Sequence, residues 1–147
     1  MSMLSKCAVA ALAVTAATMV VSPMFAETIS FKASLKASEE VPSNDSKGTG
    51  SVTASYDSAS KTLTWKGTYS GLTGTATMAH FHGPGEPGKN AGVAVWISTK
   101  DTPMPSSFEG KATLTDAQAA DLMGGRWYVN IHTAAHPAGE IRGQVVK

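Results

Sequence analysis

Residues 29–37, ISFKASLKA, set Ile29, Phe31, Ala33 and Leu35 against Ser30, Lys32, Ser34 and Lys36. A period of two lets a strand bury one face and wet the other, so this stretch predicts a half-buried strand. The alternation returns in GSVTASY (50–56) and in TLTWKGTY (62–69), where Leu63, Trp65 and Tyr69 share one side. The turn residues DSASK join the two, which predicts a hairpin. Segments 75–82, 93–98, 108–114, 127–133 and 140–146 bring the expectation to about eight strands. One helix is predicted at TDAQAADLM (115–123), where Thr115 and Gln118 have capping-box spacing and Gly124-Gly125 supplies the stop. Half-wet strands must hide their apolar faces against another sheet. The fold predicted is therefore all-β, an antiparallel Greek-key-like β-sandwich of about eight strands with one short helix. EEVPSNDSKGTG (39–50) and GPGEPGKNAG (83–92) read as long loops inside a single domain, residues 27–147.

The first residues change the picture of where such a domain would reside. Lys6, an apolar run from Cys7 to Val21, and Ser22-Pro23 before Met24-Phe25-Ala26 have the layout of a secretory signal peptide, 1–26, cleaved after Ala26. The run is too short for a comfortable membrane span, so no span is expected in the mature chain. Cys7, the only cysteine, would leave with the leader, and the mature chain would rely on packing without disulfides or thiolate ligands. Losing Lys6 leaves eleven of the twelve Lys and Arg against eleven Asp and Glu. Such a balance offers no basic field for nucleic acid. The expected location is secreted or periplasmic.

All four histidines fall in two short clusters, MAHFHGPG with His80 and His82 and VNIHTAAHPAGE with His132 and His136, some fifty residues apart. If Phe81 points into the core, His80 and His82 point away from it together; if Met78 points in, the assignment reverses. In WYVNIHT, Trp127, Val129 and Ile131 form the apolar face, so Tyr128, Asn130 and His132 are expected on the wet one. Histidines two apart on a strand have Cα atoms roughly 7 Å apart on one side. Tetrahedral ligation at about 2.0–2.1 Å needs nitrogens roughly 3.4 Å apart, a gap that converging rings close. H-x-H is thus a two-ligand half-site, His132 the candidate third ligand, and His136 a neighbour in the following loop. Nitrogen ligation without thiolate suits copper, with zinc the alternative. The other reading makes the histidines hydrogen-bonded structural residues.

MAHFHGPGEPGKNAGVAVWI and LTDAQAADLMGGRWYVNIHTAAHPAGEIRGQV closely resemble the CHRD domain, named after chordin and found also in bacterial secreted proteins. The resemblance covers nearly all of Phe31–Val146. Where the family pattern usually has Asn and a second Gly, this chain has His136 and Ala138. Chordin is an extracellular antagonist of bone morphogenetic proteins, but it is large and multidomain, and a single domain inherits no such activity from it; the resemblance implies fold more than function. The HFH strand is also similar, more distantly, to the copper-holding H-x-H strand of copper/zinc superoxide dismutase.

In GEIRGQ, Glu140, Arg142 and Gln144 share a strand face. If 127–133 and 140–146 form a hairpin, these three lie beside Tyr128, Asn130 and His132. There Glu140, Arg142 and Asn130 would support the ligands, a carboxylate orienting an imidazole, or form a polar ladder that pins register. No serine elbow or paired carboxylates stand at catalytic spacing, which argues against a hydrolase. The expected function is a metal-binding protein using the histidine cluster. The alternative is a metal-free module that binds an extracellular protein or a polysaccharide, and a third reading is a superoxide dismutase-like copper oxidoreductase with Arg142 attracting an anion.

Overall fold

Phe31, Ala33 and Leu35 are buried and Lys32, Ser34 and Lys36 exposed, as their alternation dictates, in the first strand of a computed structural model that describes residues 26–99 and 102–147. Among these residues the chain forms β1 (Thr28–Lys36), β2 (Thr49–Asp57), β3 (Thr62–Ser70), β4 (Ala76–His82), β5 (Val93–Trp96), β6 (Ser107–Thr113), α1 (Asp116–Met123), β7 (Tyr128–Thr133) and β8 (Ile141–Gln144). All neighbours pair antiparallel, in the order β5-β4-β7-β8-β1-β2-β3-β6. The all-β, eight-stranded expectation holds, as does the β2–β3 hairpin. α1 carries its capping box: Thr115 accepts from the Gln118 backbone, and the Gln118 side chain accepts from the Thr115 N–H. The leader expected at 1–26 lies, apart from Ala26, outside the described residues. No described helix is long and apolar enough to cross a membrane.

The two layers of the expected sandwich belong to one continuous sheet. β3 and β4 stand five places apart in the strand order, yet Trp65 of β3 and Phe81 of β4 meet edge-on with ring centroids 5.2 Å apart. Contact at that distance requires the sheet to curl until its ends face each other. Between them lies the core, where Leu63, Phe81, Trp127, Val129, Ile131 and Ile141 are fully buried. The halves join where β8 crosses β1 through the Lys36–Arg142 pair and a bridge between Lys32 and Val146. At that crossing Gly143 lies so near Ser34 that a Cβ would overlap its backbone carbonyl.

Register sets which residues face away from the core. Ala76 pairs with Thr133 but Met78 with His132, so Thr77 is an extra residue, a bulge. Beyond it Ala79 and Phe81 point into the core, leaving Met78, His80 and His82 on the outer side. Across from them on β7 come His132, Asn130 and Tyr128.

That outer side is not wet, which corrects the expectation for Tyr128, Asn130 and His132: they are 3%, 3% and 6% exposed. Alternation identifies the core-facing side but is blind to loops that cover the other. Loop 83–92 folds over it, held by Arg142, which donates to Asn90 Oδ1 at 3.0 Å and the Lys89 carbonyl at 2.6 Å, and by Gln144, which donates to the Gly85 carbonyl. Loop 134–139 covers its other end.

Candidate metal centre

Under these loops the imidazoles of His80 and His82 on β4 and His132 on β7 converge, each offering a ring nitrogen within 4.8 Å of the others. Local structure fixes two rings. His132 Nδ1 lies 3.0 Å from the Pro137 carbonyl and His82 Nδ1 2.9 Å from the Ala91 carbonyl. A carbonyl only accepts, so each Nδ1 must carry its proton and each Nε2 is left with a free lone pair. His82 Nε2 is buried with no protein partner. His80 Nδ1 stands 3.2 Å from His132 Nε2, close to the roughly 3.4 Å that two ligands on one tetrahedral ion require.

The surroundings are aromatic on two sides. Tyr128 stacks on His82 with ring planes 2° apart, and the Arg142 guanidinium covers the Tyr128 ring at 3.4 Å. Trp96, nearly half exposed, meets His80 edge-on at 4.2 Å. Burial, joined by the charges that His132 and His82 would carry, pushes His80 down from 6.5 to about 4. Burial also lowers His82 and His132. All three rings are neutral at pH 7, the form that ligates.

His136 does not join this group. Its backbone is held in a turn with Thr133, and the ring is half-buried. Glu140 is fully buried, but its oxygens accept from Ser46, from Thr133 and from the backbone and hydroxyl of Thr73. Burial resists its charge, and these hydrogen bonds prevail to lower its pKa. It ties three loops together, and the orientation of His132 falls to the Pro137 carbonyl instead. Arg142 is 2% exposed with its donors engaged by loop 83–92, so it presents no surface to a free anion. Asn130 is 3% exposed, opposite His80 on β4 and Arg142 on β8.

Glu40 escaped the sequence reading. It follows a 3-10 turn (Ala37–Glu39), is 6% exposed, and has Oε1 without a partner beneath Gly139. Burial raises it from 4.5 to about 7, against the opposing charge of Arg142. A carboxyl raised on folding stabilises the native state below its unfolded pKa, and that contribution disappears as pH rises through the folded value. Glu40→Gln removes this loss. The stability of the variant relative to the parent is therefore expected to increase between pH 4.5 and about 7, by on the order of 2 kcal/mol. Denaturant unfolding at several pH values measures it, and parallel curves would contradict it.

A family model described as the CHRD domain matches residues 31–145. No curated protein and no solved structure matches the chain.

Proposed function

The chain belongs to the CHRD domain family, and from that premise we propose that it is an exported metal-binding protein in which His80, His82 and His132 hold one copper or zinc ion. The observation that carries this is the pinning of His82 and His132 by carbonyls at Nδ1, which aims their Nε2 lone pairs into one buried space. A neutral His80 can donate its Nδ1 proton to His132 Nε2, but that leaves the buried Nε2 lone pairs of His80 and His82 without a donor, a lack that a cation would supply. Copper is the favoured ion, since it binds most nitrogen sites more tightly than zinc does. Export after removal of 1–26 is supported by the leader pattern.

Uptake of about one ion per chain is expected, by elemental analysis after dialysis against copper(II) or zinc. Copper(II) should quench tryptophan fluorescence, because Trp96 touches His80 while Trp65 and Trp127 sit in the core. Protons compete with metal for the rings, and burial has lowered the pKa of each. Occupancy should therefore persist below 6.5 and collapse only as pH approaches about 4. A chain that takes up neither ion overturns the reading.

That result would favour the alternative, a metal-free module binding an extracellular protein or a polysaccharide. Its support is the exposure of Val93 and Trp96, 45% and 46%, at the two ends of the short strand β5.

A further inference from the structure

Three nitrogens leave a tetrahedral ion one ligand short, and among the described residues no carboxylate or cysteine joins the group. Met78 lies on the same outer face of β4, two residues before His80. It is the register partner of His132 across β4 and β7, and directly opposed residues on one face have Cβ atoms about 4.5–5.5 Å apart. A methionine side chain has the reach and flexibility to span that gap.

Met78 is also an apolar residue that the core does not use. Its strand neighbours Ala76, Ala79 and Phe81 are all buried in the core, whereas Met78 is half-buried on the other side. Met104 shows the contrast, being 5% exposed within the core. The Thr77 bulge produces this placement: with the extra residue, Ala76 still reaches the core and Met78 is brought level with His132.

Resting on the metal reading above, we infer that Met78 supplies a thioether sulfur to the ion held by His80, His82 and His132, and that this makes the centre selective for copper(I). The reason lies in softness. Thioether is a soft donor that favours copper(I), while copper(II) and zinc are served by imidazole alone.

The test is Met78→Leu, a swap that nearly conserves volume and should leave thermal unfolding unchanged. Copper(I) affinity is measured anaerobically against a chromophoric copper(I) chelator, and copper(II) and zinc affinities by competition dialysis. The variant should lose about tenfold or more in copper(I) affinity with copper(II) and zinc within about twofold, and X-ray absorption should show a sulfur neighbour to copper(I) in the parent alone. Unchanged copper(I) affinity, or the absence of sulfur in the parent, overturns the role of Met78 and leaves the histidine site standing. A parent chain that binds none of the three ions overturns both.

Discussion

His132→Ala is expected to cut copper(II) or zinc affinity by at least about a hundredfold, since losing mere outer-sphere support already costs metal sites about 10–100-fold. His132 is the only one of the three clustered imidazoles that comes from β7, and its Nε2 lies closest to His80. Removing it leaves two rings on one strand, and two nitrogens cannot enclose an ion. His136→Asn, by contrast, should stay within about twofold of the parent, because ligand loss is what carries the penalty and His136 lies outside the cluster. Equilibrium dialysis of both variants against the same ion decides it. Equal losses would make His136 a ligand, and undiminished affinity in His132→Ala would remove β7 from the site.

The second large effect concerns stability. Gly143→Ala places a methyl group inside the backbone carbonyl of Ser34, where no side chain can rotate away to make room. Relief requires β8 to withdraw from β1 at the one crossing that joins the two halves of the sheet. Overpacking against side chains costs about 1–3 kcal/mol, and against backbone it should reach or exceed the top of that range. For a domain of this size the melting temperature should fall by roughly 10 °C. Gly74→Ala, where a Cβ meets nothing within 4 Å, should change little. Thermal unfolding of the pair is the measurement, and similar melts would mean that the crossing tolerates separation.

The strands were legible because each buries one face, so Phe31-Ala33-Leu35 and Trp127-Val129-Ile131 announce both the element and its inward side. The three clustered imidazoles were legible as an H-x-H pair and a third histidine on strands, although periodicity assigned a face to His132 alone and left that of His80 and His82 to the register beyond the bulge. Glu40 was not. It sits in EEVPSNDSKGTG, a composition that reads as solvated loop, and only the packing of that loop beneath Gly139 buries it. Closeness to His132 made His136 a candidate and a shared strand face with Arg142 made Glu140 one, but a tight turn holds the first apart and the hydroxyls of Ser46, Thr73 and Thr133 claim the second. The Thr77 bulge has no sequence signature, since an inserted residue in a strand looks like any other.

Phe81 belongs to the core while His80 and His82, on either side of it, belong to the layer beneath the loops. The apolar interior is thus complete without any ion, unlike small metal-nucleated domains that unfold when stripped. A sequence of events follows. On the metal reading, the polypeptide can reach its final shape first and acquire its ion afterwards, in whatever compartment supplies it, and a chelator should empty the molecule without melting it. Synthesis and loading become separable in time and place.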